Sequence, residues 1–294
     1  MEGESIRLSH ALELVRPLNC VFTGVAVIIG IVVTAGRLDM PLNLPILAFA
    51  AAALVAAGGN AVNDYFDRDI DRINRPERPI PSGQITQKEA LTATRLLFVL
   101  GIVLAALLNI YCVLLAAVNS IVLTLYSWGL KKRGLVGNLA IGYLVGSSLL
   151  FGGLAISAGV SGPLIPGKLL TLVLMAGLST VGRELIKAVQ DMEGDKKLGF
   201  RTFPLVHGAG KSAALAVVFI GAAIAVTPIP YLLNFFGWQY LALVAVSVAT
   251  FIAAAAIISM GRDAAAAKRA SLACKLGMGL GLLAFLVGAL ANLV

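Results

Sequence analysis

Asn63, Asp67 and Asp71 stand at i, i+4 and i+8 within Asn63-Asp64-Tyr65-Phe66-Asp67-Arg68-Asp69-Ile70-Asp71. Lys187, Asp191 and Asp195 repeat that spacing 124 residues later. On a helix, each set lines one face over about two turns. Aligned carboxylates repel one another unless a cation sits between them. The donors are all oxygen, without a paired His or Cys, which favours Mg2+ over zinc or copper. Mg2+ commonly takes a few carboxylates and fills its shell from phosphate and water, so a bridged diphosphate is the natural third component. Asn63, Asp67, Asp71, Asp191 and Asp195 are therefore the candidate metal ligands, and the four aspartates the candidate catalytic groups. The plainer alternative is a solvated loop in which the acids pair with Arg68, Arg72, Arg75 and Arg78. Two clusters in matching register argue against it, although Arg68 and Asp69 fall off the metal face.

The elements that must position these jaws are membrane spans. The chain has 294 residues, 59% hydrophobic and only 13% charged, a composition foreign to a soluble domain of this length. Apolar runs long enough to cross a bilayer recur throughout. Nine are expected, at about 12–36, 45–66, 91–109, 111–129, 138–158, 168–190, 212–232, 238–259 and 272–293. The fold class is all-α, a polytopic membrane protein. The jaws end the second and sixth spans, which suggests two four-helix halves plus a ninth helix. The first span is too long for a signal peptide and lacks a small-residue cleavage site. Cys20, Cys112 and Cys274 fall inside spans and read as small buried apolar residues. His10 and His207 lack ligand-like spacing.

Nine of the fifteen acids lie in 64–77 and 184–195, and carboxylates near a bilayer core mark function by default. Of 23 Lys and Arg residues, 21 fall on the side carrying the jaws, leaving only Arg37 and Lys168 opposite. The positive-inside rule places the basic side, the N-terminus and the active site in the cytoplasm. An odd number of spans puts the C-terminus outside. The formal charge of +8 is explained by orientation and anionic lipid, and no nucleic-acid partner is expected because no stacking platform accompanies the basic loops.

These residues together resemble the intramembrane prenyltransferase (UbiA) superfamily. Its signature Asn-Asp-x-x-Asp-x-x-x-Asp matches Asn63, Asp64, Asp67 and Asp71, and its Asp-x-x-x-Asp matches Asp191 and Asp195. The flanks Asn74-Arg75-Pro76-Glu77-Arg78-Pro79-Ile80-Pro81-Ser82-Gly83 and Gly199-Phe200-Arg201-Thr202 fit as well. The resemblance implies nine transmembrane helices around a central cavity, capped by cytoplasmic loops and open sideways to lipid. It also implies Mg2+-dependent prenyl transfer from an isoprenyl diphosphate donor to a lipid-soluble acceptor. Gly182-Arg183-Glu184-Leu185-Ile186-Lys187, Tyr126-Ser127, Lys131-Lys132-Arg133 and Gly137-Asn138 look most like the archaeal ether-lipid branch. Members of that branch alkylate the free hydroxyl of geranylgeranylglyceryl phosphate with geranylgeranyl diphosphate. Branches with aromatic acceptors share the metal motifs.

Several basic and polar residues have two readings. Arg75 and Arg78, in a Pro-stiffened segment, serve as phosphate clamps or as topology-setting charge, with Arg75 the stronger clamp candidate. Lys131 contacts diphosphate or anchors the helix, as does Lys132. Tyr126 contacts substrate or sits at the interface. Lys187 shares the face of Asp191 and binds phosphate or pairs with Glu184. Arg16 and Asn19 begin the first span and are candidates for the acceptor's polar head. A phosphorylated acceptor needs a cation of its own, for which Arg16, Arg75 and Lys187 are the candidates. A secondary transporter is the main non-enzyme alternative, but its ion path needs polar residues nearer the membrane middle, and spans seven to nine offer almost none. A soluble isoprenyl diphosphate synthase would not carry nine spans.

Overall fold

The computed structural model describes residues 2–157 and 165–291, with side chains from Ser9 onward. The last residue expected in the fifth span, the last two in the ninth, and the side chain of Arg7 lie outside the described residues. Among the described residues there is no strand, and nine helices are long and apolar enough to cross a membrane. The protein is an all-α, multi-pass membrane protein.

The chain opens with α1 (Glu2–Val15) and α2 (Pro17–Ala35). The expected span 12–36 is thus cut at Arg16, which takes φ 51°, a left-handed conformation rare outside glycine. Pro17 then supplies the fixed φ of a first helical turn. Next come α3 (Asn43–Asn74), α4 (Gln87–Ala106), α5 (Ile110–Trp128), α6 (Gly134–Ile156) and α7 (Gly167–Gln190). The second span was expected to end at 66, but α3 runs unbroken to Asn74, so the whole first acidic cluster is helical. Short helices α8 (Met192–Lys197) and α9 (Phe203–His207) follow, then α10 (Ala209–Val226), α11 (Ile229–Leu232), α12 (Trp238–Met260) and α13 (Ala264–Ala291). The final helix starts eight residues before the expected 272, because Ala264–Ala267 are good helix formers that extend it despite Lys268 and Arg269.

Local chemistry fixes the helix ends near the site. Thr86 and Glu89 form a reciprocal capping box at the start of α4. The Asn109 side chain accepts from the Cys112 backbone N–H at 2.9 Å and donates to the Leu154 carbonyl at 2.9 Å. The start of α5 is thereby tied to the end of α6. Between α3 and α4, Ile80 is buried with Leu14, Ala61 and Ala90, so the Pro-rich segment folds back onto α3.

Three larger cores hold the bundle. One joins α2 to α6 around Val27, Ala51 and Phe151. A second joins α7, α10, α12 and α13 around Leu185, Ile220 and Ile258. A third, around Leu149, Tyr240 and Phe285, links α2, α6 and α7 to α12 and α13. Exposed apolar residues such as Phe22, Leu96, Ile121 and Ile252 lie on outward faces, where lipid is their solvent. Two glycines bring α2 and α6 close together. A Cβ at Gly30 would fall on the Leu149 carbonyl, and one at Gly152 on the Val27 carbonyl. Both neighbours are backbone, so neither can turn aside; such small-residue contacts let helices approach in a membrane.

Gly152→Ala is expected to lower the melting temperature of detergent-solubilised protein markedly, by pushing α2 from α6. Gly221→Ala on α10 meets nothing within 4 Å and is expected to leave it unchanged or slightly raised. Thermal unfolding of both variants, followed by far-UV circular dichroism, checks the contrast.

Candidate active site

The last turns of α3 carry the first jaw. Asn63 donates through Nδ2 to Asp67 Oδ2 at 3.0 Å. Lys131 Nζ donates to Asn63 Oδ1 at 3.1 Å and forms an ion pair with Asp67. Lys131 arrives on a single 3-10 turn, Leu130–Lys132, between α5 and α6. Gly137 lets α6 pass that turn closely, since a Cβ there would meet the Leu130 carbonyl at 2.6 Å. Burial pushes the Lys131 ammonium down from its ordinary value, and the Asp67 carboxylate opposes this. Its positive charge is thus held largely by the jaw it serves.

The second jaw crosses the junction of α7 and α8. Asp191 leaves helical geometry slightly, yet its N–H still donates to the Lys187 carbonyl at 3.0 Å, and Asp195 N–H donates to Asp191 O at 2.9 Å. Lys187, Asp191 and Asp195 therefore keep their i, i+4, i+8 register. Burial and the nearby Asp191 push the Asp195 carboxyl up from its ordinary range, against the Thr202 hydroxyl and Lys187. Crowded carboxylates of this kind are answered by a cation.

The loops behind the jaws are laced together. Arg201 N–H donates to the Lys132 carbonyl at 3.1 Å, the Lys132 ammonium lies over the Phe200 ring, and Phe200 N–H donates to Asp195 O at 3.0 Å. Tyr126, near the end of α5, has Glu184, Asp67 and Asp195 as electrostatic neighbours. It therefore lies within electrostatic range of an acid from each jaw.

Asp64 and Asp71 point elsewhere. Both are buried. Arg78 donates to Asp71 at 2.7 Å and to Asp64 at 3.2 Å, and Arg16 forms an ion pair with Asp64. Arg78 thus takes a role outside both expected readings, as the partner of two buried carboxylates. Arg78 is drawn inward because Pro79 and Ile80 are buried and fold the segment back, whereas Arg75 caps α3 and stays exposed, without an ion pair among the described residues. Arg16, expected at the acceptor's head, is committed to Asp64. The Glu184–Lys187 pair is also replaced: Glu184 accepts from Arg183 at 2.5 Å.

Among the described residues, no three His, Cys, Asp or Glu side chains converge on one point. The oxygens lie instead in pairs, Asn63 with Asp67 and Asp191 with Asp195. An all-oxygen set that supplies only part of a coordination shell fits Mg2+, whose remaining ligands are phosphate and water.

A cavity of about 950 Å³ lies among α2, α3, α5, α6, α7 and α13. Its wall is mainly apolar, including Val55, Leu123, Leu144 and Phe151, and it reaches Phe22 of α2, which is exposed on the outward face. Asn19 lines it, as anticipated, and so does Lys187. Arg183 and Lys275 also line it, as does Asn119. Sequence reasoning took Arg183 only as part of the Gly182–Lys187 motif, left Lys275 as topology charge and passed over Asn119. A cation eleven residues into an apolar helix was the available signal for Lys275.

A sequence model of the UbiA prenyltransferase family matches residues 23–277. The chain is 42% identical to a digeranylgeranylglyceryl phosphate synthase of Methanopyrus kandleri, over 95% of this chain and 98% of the relative. It is also 42% identical to one of Halobacterium salinarum, over 96% and 97%. A solved digeranylgeranylglyceryl phosphate synthase structure superposes with a TM-score of 0.87 at 38% identity, covering 97% of this chain and 99% of that one. A UbiA homolog from Archaeoglobus fulgidus bound to GPP and Mg2+ gives a TM-score of 0.67 over 94% and 99%; at 18% identity that likeness concerns the fold.

Arg78→Ala is expected to destabilise the protein by about 3 kcal/mol or more, because it leaves two buried carboxylates short of a partner. Arg75→Ala is expected to leave the melting temperature unchanged. Parallel melting curves of the two purified variants test this difference in structural role.

Proposed function

Because the chain belongs to the UbiA prenyltransferase family, we propose that it transfers a geranylgeranyl chain from geranylgeranyl diphosphate to the free hydroxyl of geranylgeranylglyceryl phosphate, an archaeal ether-lipid step. That the protein is a prenyltransferase of the membrane follows from the family and the nine spans. The observation that carries the substrate reading is the cavity. Its polar end begins at Lys187, one helical turn from Asp191, and its apolar wall reaches Phe22 on the outward face. A diphosphate at the jaws with a long tail in that wall fits the space, as does an acceptor entering sideways.

Asn63, Asp67, Asp191 and Asp195 are read as the oxygen donors that would hold Mg2+; Asp71, expected among them, is engaged by Arg78 instead. When bound, the ion neutralises charge on the departing diphosphate. Lys131, already between Asn63 and Asp67, is within reach of a phosphate placed between the jaws and adds a second positive group. The bond from the allylic carbon to diphosphate oxygen breaks with its electron pair leaving on the diphosphate. The acceptor oxygen bonds to that carbon, and the hydroxyl proton passes to the diphosphate. Asp64 is engaged by Arg16 and Arg78, and Glu184 by Arg183, so neither offers a free base. Tyr126, within electrostatic range of both jaws, helps keep water from the developing cation.

The chain is read as two four-helix halves plus a ninth helix from the matching places of the two jaws, whereas the apolar cores gather the first five spans around Val27 and the last four around Leu185. The basic asymmetry supports a cytoplasmic active site and N-terminus, with the C-terminus outside. Lys168 and Gly36 lie side by side, so the two exceptional cations, Arg37 and Lys168, share one end of the bundle.

Asp67→Ala and Asp191→Ala are each expected to abolish turnover while membrane insertion persists; undiminished Mg2+-dependent transfer by either would sink the two-jaw reading. Purified protein with geranylgeranyl diphosphate and Mg2+ is expected to prefer geranylgeranylglyceryl phosphate over 4-hydroxybenzoate, homogentisate and a dihydroxynaphthoate. Preference for an aromatic acceptor would refute the ether-lipid assignment alone. Cysteines placed at the exposed Ser82 and Lys197, in a variant lacking the three native cysteines, are expected to label from the cytoplasmic side.

A further inference from the structure

We infer that Arg183, Lys187 and Lys275 form a seat for the acceptor's phosphate monoester, distinct from the diphosphate seat at the jaws; the inference rests on the proposed acceptor class. All three line the same cavity, and no carboxylate is among the described residues lining it. Lys187 and Lys275 make no ion pair among the described residues. Arg183 gives one nitrogen to Glu184, but its Nε is buried without a hydrogen-bond partner. An unpartnered buried donor is costly, and it points to a group that arrives with the ligand.

Position makes the set more than positive-inside charge. Lys187 lies about 6 Å below Asp191 along α7, and Arg183 about 12 Å below. Lys275 lies about 16 Å into α13, well past Lys268 and Arg269 at its cytoplasmic start. The two helices pack together, and Arg183 is an electrostatic neighbour of Cys274, the residue preceding Lys275. Three cations on a wall whose other described residues are uncharged are expensive unless an anion meets them. The donor's diphosphate has cations of its own at the jaws. A phosphate monoester brings a charge of about −1.5 to −2 and three acceptor oxygens, which suits one guanidinium and two ammonium groups. A phenol bearing one carboxylate brings a single charge and two acceptor oxygens, and would answer them only in part. A glycerol phosphate seated one turn below Asp191 also brings its free hydroxyl toward the allylic carbon leaving the jaws.

The test uses full-length protein in detergent with two acceptors, geranylgeranylglyceryl phosphate and geranylgeranylglycerol. Wild type is expected to favour the phosphorylated acceptor by tenfold or more in kcat/KM. Lys275→Gln is expected to raise KM for that acceptor roughly tenfold, keep KM for geranylgeranyl diphosphate within about twofold, and erase the preference. Lys275→Arg is expected to recover most of it. A binding arm with EDTA in place of Mg2+ follows the melting temperature: geranylgeranylglyceryl phosphate is expected to raise it for wild type and not for Lys275→Gln. If Lys275→Gln does not fold, Arg183→Lys takes its place with the same readouts. A raised donor KM with the acceptor KM unchanged overturns the seat, as does equal loss on both acceptors. Wild type inert toward geranylgeranylglyceryl phosphate refutes the proposed function; an active wild type whose variants keep the acceptor KM refutes only the phosphate seat.

Discussion

Repulsion among carboxylates in a poorly solvated place is the constraint on which the site is built. Asp64, Asp67 and Asp71 share two turns at the end of α3, where the bilayer gives little help in screening them. The fold answers each with a tethered cation: Arg16 and Arg78 for Asp64, Arg78 again for Asp71, Lys131 for Asp67. Those cations come from three separate segments, the break before α2, the Pro-rich return after α3, and the turn after α5. Satisfying one helix's charge thus fixes the course of the chain in three other places.

The same constraint accounts for the backbone irregularities near the site. Arg16 adopts a left-handed conformation whose cost is of order 1–3 kcal/mol, and it persists because its side chain is held on Asp64. Pro79 and Ile80 are buried so that Arg78 can face inward. Asp191 interrupts α7 without losing the hydrogen bonds that keep Asp195 in register. The first two departures from regular helix bring an arginine to a buried carboxylate.

Much of this was legible in the residues. Nine spans and the placement of both jaws followed from apolar run length and the i, i+4, i+8 spacing, and α3 and the α7–α8 junction keep that spacing. Span edges were not legible at Arg16 or Ala264, because hydropathy averages over the single residue that breaks a helix and ignores polar residues that continue one. The carboxylate-pairing role of Arg78 was not legible because it depends on tertiary burial, with Ile80 meeting Leu14 and Ala90 from distant segments. Lys275 looked like anchoring charge because sequence does not reveal which side of α13 faces a cavity.

The backbone bond from Arg201 to Lys132 has a consequence for how such an enzyme diversifies. It ties the turn bearing Lys131 to the strap behind Asp195, so the gap between the jaws is set in the loops. The wall that would receive a hydrocarbon tail is set separately, by side chains such as Val55, Leu144 and Phe151 facing one another across helices. Head-group grip and tail measurement are thereby independent modules. Descendants can lengthen or shorten the chain they accept by trading apolar residues in the wall, while the ionic clamp is inherited intact.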